Sequence, residues 1–159
     1  MATTNLSYYD KATIPNAKSF RFGIVVSEWN PEITRNLQKG AIETLIDCGA
    51  IKENIISWDV PGSFELIYAS KKAQSYNPDA VIAIGSVIRG ETQHFDFVCQ
   101  AVSQGLKDLN IQSEVPVIFC VLTDDTKQQA EDRSGGKYGN KGTEAAVTAL
   151  HMSKLRATN

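Results

Sequence analysis

The chain carries little of what holds many small proteins together covalently or through metal. It has three cysteines in 159 residues, Cys48, Cys99 and Cys120, with no CxxC pair. Odd in number, widely spaced and set among apolar residues, they read as reduced core or near-core thiols of a cytoplasmic protein, not as a disulfide framework. Histidine is nearly absent. The only two, His94 and His151, lie too far apart for any known metal-ligand spacing, so no metal is expected. No apolar run approaches the ~20 residues that cross a bilayer. The opening MATTNLSYYDKATIPNAKSF lacks the apolar core of a signal peptide. An excess of positive charge is missing too: 16 Lys plus Arg stand against 18 acidic groups, a net charge of -2. That excludes a general nucleic-acid binder with a concentrated basic face, although it leaves room for a local anion site. Three familiar motifs are also lacking. GIVVSEWN contains no GxGxxG, GGKYGNKG has no strand-to-GK[ST] arrangement, and no GxSxG elbow occurs.

What is present is a regular alternation. Residues 21–27 (RFGIVVS) form a short apolar run, the first expected strand. The helix expected over 30–50 has Asn30 as N-cap, Pro31 at its first position and Glu32 in its first turn, and Ile33, Leu37, Ala41 and Leu45 recur on one face. Gly40 inside it costs about 1 kcal/mol of helix propensity, which points to close packing there. A second strand is expected over 54–60, a helix from Ser63 to about Tyr76, and a third strand over 79–88. A helix from Gln93 to Asp108 and a strand over 115–123 follow. Two helical stretches, 124–132 and 143–156, flank 134-SGGKYGNKG-142. Four strands alternating with helices define an α/β chain with a parallel sheet, and VIAIG and VIFCVL are apolar without alternation, as a sheet covered on both faces requires. The fold class expected is a three-layer α/β/α sandwich around a central four-stranded parallel sheet, flavodoxin-like. Residues 21–159 form one domain. Residues 1–20 are either a disordered tail or an arm ordered at a subunit contact.

Open parallel sheets bind ligands beyond the carboxyl ends of their strands. This chain puts Trp29 and Asn30 there after strand one, Gly62, Ser63, Phe64 and Glu65 after strand two, and Ser86 through His94 after strand three. Aromatics, short polar groups and backbone amides suit a flat polar ring better than a lipid. In 89-RGETQHFDF-97, Glu91 and Thr92 precede a helix whose first amides lack intrahelical partners, a seat for an anion. An arginine would complete it, either Arg89 in the turn or Arg133 beside SGG. His94, in the first turn, is either a rim residue or a proton shuttle. Trp29 serves either core packing or stacking on a planar ligand.

Several of these pieces recur together in one family. WN at 29–30, KGA at 39–41, VPGSFE at 60–65, GSVIRGETQHFDFV at 85–98, VPVIF at 115–119 and RSGGKYGNKGTEAA at 133–146 stand in an order and spacing that closely resemble the 6,7-dimethyl-8-ribityllumazine synthases. The likeness runs from about Phe22 to Leu155. It implies a transferase of riboflavin synthesis that condenses 5-amino-6-(D-ribitylamino)uracil with 3,4-dihydroxy-2-butanone 4-phosphate, without an organic cofactor or metal. Carried over by motif position, Trp29, beside Asn30, stacks on the pyrimidine, where many members have phenylalanine. Ser63, Phe64 and Glu65, after Gly62, meet the ribityl chain. Ser86, Val87 and Ile88 hold the heterocycle by backbone groups. The amides of Glu91 and Thr92 with Arg133 take the phosphate, Lys141 adds positive charge, and His94 transfers protons.

The resemblance also implies partners. Each site is expected between two subunits, with Phe119 supplied by the adjacent chain. The assembly is a homopentamer or a sixty-chain icosahedral shell, whose N-terminal arm can add to a neighbour's sheet, and riboflavin synthase is a candidate associate. The short SGGKYGNKG connection favours the shell. Two other readings stand beside the enzyme: a non-catalytic flavin- or lumazine-binding module, and a shell-forming scaffold.

Overall fold

The structure is a computed structural model that describes residues 5–158. Strands β1 (Phe22–Ser27), β2 (Ile55–Val60), β3 (Ala80–Ile88) and β4 (Val117–Asp124) pair in parallel in the order β2-β1-β3-β4. The helices are α1 (Pro31–Asp47), α2 (Leu66–Gln74), α3 (His94–Gln112), α4 (Lys127–Arg133) and α5 (Lys141–Ala157). Alternate strand residues feed two cores. Ile24, Val26, Ile82, Ile84 and Cys120 pack with Leu37 and Leu45 of α1 and Ala146 and Leu150 of α5. Val25, Val81, Ala83 and Val121 pack with Leu66 of α2 and Leu106 of α3. Because both faces of β1 and β3 are covered, these strands are apolar throughout, as the sequence pattern required. β2 is an edge strand, half exposed, and its mixed composition follows.

The chain leaves β1 toward β2, then crosses back to β3 on the other side of β1. That reversal opens a crevice at the carboxyl ends of β1 and β3, where α/β sheets of this kind hold ligands.

Several boundaries differ from the sequence expectation, each for a local reason. α2 begins at Leu66, not Ser63, because residues 63–65 form a tight turn with Leu66 N donating to Ser63 O and Ile67 N to Phe64 O. α3 continues to Gln112, and the Asn110 amide then bonds both the N–H and the C=O of Val117, substituting for a strand on the open edge of β4. α4 starts at Lys127 and includes Arg133, since Thr126 caps it by accepting from Gln129 N. SGGKYGNKG is not a plain connection: β5 (Ser134–Gly136) and β6 (Gly139–Asn140) close it into a hairpin.

Asn30 holds the N-cap position of α1, but its side chain makes no capping bond. It is left-handed, φ 57°, and its Nδ2 donates instead to Ser86 O at 3.0 Å, tying the end of β1 to the end of β3. Asparagine tolerates that conformation better than most residues. The packing expected at Gly40 is present. A Cβ there would meet the Asn140 side chain at 2.5 Å, and Asn140 uses that space to bond Asn36 O and cap α5.

Among the described residues the N-terminal segment contains no strand and lies on its own chain. Leu6 N donates to Tyr138 O, Asn140 N to the Ser7 hydroxyl, and Tyr9 and Lys11 both reach Asp47. Residues 1–4, the rest of the expected arm, lie outside the described residues.

Cys48, Cys99 and Cys120 are free thiols. Burial pushes the Cys120 thiol up to about 12. The thiolate is the reactive form. Cys120 is therefore expected to resist an alkylating reagent at pH 8 in the native protein and to react once the chain unfolds, as mass spectrometry of the labelled peptide would read out. Labelling of Cys120 at the rate of Cys99 in the folded state would contradict this placement.

Candidate active site

The crevice between β1 and β3 is a cleft of about 390 Å³. Trp29 after β1, Ser63 after β2, Ser86, Val87 and Ile88 at the end of β3, and Thr92 and His94 beyond it all line this space. Phe95 and Val98 of α3 complete its apolar wall. Trp29 is 71 % exposed, so it is not a core residue. It is instead an exposed part of the cleft lining. Ser63 and Ser86 are buried, and neither hydroxyl has a hydrogen-bond partner in the chain. Buried polar groups are normally satisfied. Ser63 and Ser86 are exceptions in the cleft wall, as Ser70 and Ser153 are elsewhere.

His94 opens α3, exposed, and its N–H donates to the Thr92 hydroxyl at 3.3 Å. A Cβ on Gly90 would meet nothing within 4 Å, and Gly90 also lines the cleft. The room that glycine leaves therefore belongs to the cleft and not to a tight turn. Phe64, Glu65 and Glu91 are exposed, and Gly62 and Asn30 are half-buried. None of these five lines the cleft itself.

Phe119, Arg133 and Lys141 lie elsewhere. They line a second, larger cavity of about 680 Å³ along the open edge of β4, together with Asp124, Tyr138 and Glu144. Arg133 sits with its guanidinium over the Tyr138 ring at 5.1 Å, donates to Gln129 O, and lies 3.7 Å from Asp124 Oδ1. Burial raises the Asp124 pKa while Arg133 opposes that rise. Lys141 donates to Glu144. Thus the residues expected in one site fall into two groups within a chain: Trp29, the serines, Thr92 and His94 at the switch point, and Phe119, Arg133 and Lys141 at the sheet edge.

Tyr138 and Phe95 were not anticipated. Tyr138 could have been suspected from its place between two glycines beside Arg133. Nothing in the sequence separated Phe95 from an ordinary core aromatic.

The fold defines a doubly wound α/β protein with a cleft at its switch point. A sequence model of the 6,7-dimethyl-8-ribityllumazine synthases matches residues 19–157. The chain is 64% identical over 156 residues to the 6,7-dimethyl-8-ribityllumazine synthase of Flavobacterium psychrophilum, covering 98% of this chain and 82% of that protein. It is 64% identical over 160 residues to that of Christiangramia forsetii, with 98% and 95% covered, and 58% identical over 158 residues to that of Porphyromonas gingivalis, with 98% of each covered. The chain belongs to the 6,7-dimethyl-8-ribityllumazine synthase family.

No described helix is long and apolar enough to cross a membrane. Among the described residues no group of three or more His, Cys, Asp or Glu is arranged to hold a metal ion.

Proposed function

We infer that this chain is a lumazine synthase, a transferase that condenses 5-amino-6-(D-ribitylamino)uracil with 3,4-dihydroxy-2-butanone 4-phosphate to give 6,7-dimethyl-8-ribityllumazine, phosphate and water. The observation that carries the reading is the cleft at the switch point, which Trp29, Ser63, Ser86 and His94 line together. The indole of Trp29 stacks on the pyrimidine. Ser63, Phe64 and Glu65 meet the ribityl chain, and Ser86 to Ile88 hold the ring edge. The substrate's own amine is the nucleophile, forming an imine with the ketone. Phosphate then leaves and the ring closes with loss of water. The protein's task is to bring two molecules together, worth several kcal/mol by orientation alone, and to move protons through His94.

Phosphate binding falls to the Glu91 and Thr92 amides and to Arg133, with Lys141 adding charge. Arg133 and Lys141 share the sheet-edge cavity with Phe119. All three therefore reach the reaction from a neighbouring chain, whose β4 edge closes the cleft. Exposed Phe64, Phe97 and Ile111 fit such an assembly. The assembly is a pentamer, and the short hairpin at 134–140 favours pentamers built into an icosahedral shell; light scattering separates the two. The protein works in the cytoplasm.

The direct test mixes the purified protein with both substrates and follows lumazine absorbance and fluorescence. Binding of lumazine or riboflavin without turnover would support the non-catalytic module instead. Arg133→Ala removes one charge-assisted contact, worth ~1.5–3 kcal/mol, so KM for the butanone phosphate should rise by roughly 10–150-fold. Unchanged kinetics with that substrate would remove Arg133 from the site.

A further inference from the structure

Arg89 was one of two arginines suited to an anion, yet its surroundings assign it other work. Its Nε donates to Asp125 Oδ1 at 2.8 Å. Its two terminal nitrogens donate to the two oxygens of Asp96 at 3.1 and 3.2 Å, a forked pairing. The guanidinium lies 4.1 Å from the centroid of the Phe95 ring, and its backbone N–H donates to Asp124 O at 2.9 Å. Both pairings hold the guanidinium in its charged form, with the Asp96 bond contributing most. A phosphate approaching this group would meet two carboxylates that already balance its charge.

We propose that Arg89 is a positioning residue: it locks the turn carrying Glu91 and Thr92 onto the first turn of α3, which carries His94, and onto the turn that leaves β4. Asp96 follows His94 by two positions, and Phe95 forms part of the cleft wall. The fork therefore closes residues 89–96 into one braced unit, while Asp125 ties that unit to the segment entering α4. Each ion pair is exposed and adds little to global stability. Geometry is another matter, since a displacement of about 1 Å at a reacting group can slow a reaction ~10²-fold. Large kinetic and small thermal effects are the expected signature.

The inference rests on the lumazine synthase reading, and its test separates the two. Arg89→Gln and Asp96→Asn should each lower kcat by about tenfold or more and raise KM for the butanone phosphate along with it, with the melting temperature nearly unchanged. Because Asp96 acts only through Arg89, the double variant should be no worse than Arg89→Gln alone. Asp125→Asn, on a separate segment, gives a second measure if Asp96→Asn fails to fold. Amide hydrogen exchange at residues 90–94 should accelerate in the same variants, a readout that needs no activity. A wild-type chain without synthase activity would overturn the functional reading, and the exchange rates would still judge the brace. If Arg89→Gln raises KM at constant kcat and Asp96→Asn behaves as wild type, Arg89 contacts phosphate directly and the proposal is wrong.

Discussion

Gly142→Ala is expected to destabilise the protein by about 3 kcal/mol or more, lowering its melting temperature by roughly 6–12 °C. In most helices this exchange would help, because alanine gains about 1 kcal/mol over glycine in propensity. Here the added Cβ would lie 1.9 Å from Leu37 O and 2.7 Å from that residue's carbonyl carbon. The obstacle is backbone in the middle of α1, which cannot rotate aside as a side chain can. Relief would require α5 to back away from α1, opening the layer where Leu37, Ala41 and Leu45 meet Ala145, Ala146, Ala149 and Leu150. Loss of packing therefore outweighs propensity. Gly90→Ala is the matched control: its Cβ would meet open space, so its melting temperature should equal that of the wild type. Calorimetry on the two variants decides the matter, and equal melting would mean that α1 and α5 do not approach so closely.

How much of this was legible beforehand depended on whether a signal was local. The sheet was readable because β1 and β3 are covered on both faces, which leaves continuous apolar runs, and because Pro31 and Gly49 punctuate α1. Boundaries that depend on tertiary partners were not readable. The 63–65 turn looks helical in sequence, and α3 outlasts its expected end because Asn110 finds the Val117 backbone. Asn30 illustrates the same limit. It is a good capping residue by type, but the nearness of β3 gives its amide another partner, Ser86 O. In the cleft, the residues following strand ends could be listed from topology alone. The separation of Arg133 and Lys141 from His94 could not, because it follows from which edge of the sheet the hairpin reaches. Arg89 was ambiguous for a related reason: Asp96 is close in sequence, but Asp125 is brought to it only by the β3–β4 pairing.

His94→Ala should lower kcat by about 10²–10⁴-fold, the usual cost of losing a positioned acid–base group, while leaving measurable turnover. Residual activity is expected because the attacking amine belongs to the substrate, and stacking, hydroxyl and phosphate contacts still orient both reactants. The variant also tests how sites are built. His94 and Arg133 line different cavities of one chain, so a site that uses both would take its imidazole from one subunit and its guanidinium from the next. His94→Ala and Arg133→Ala chains, each impaired alone, should then complement each other when unfolded together and reassembled. Where the His94-bearing side of an Arg133→Ala chain meets the Arg133-bearing side of a His94→Ala chain, an intact site forms. Random mixing makes about a quarter of the interfaces intact in a cyclic assembly. The mixture should regain about that fraction of wild-type turnover, far above either parent. If each site instead lay within a single chain, every site would carry one lesion, and the mixture would stay at the parents' average. His94→Ala with undiminished kcat across the pH range would remove the imidazole from proton transfer altogether.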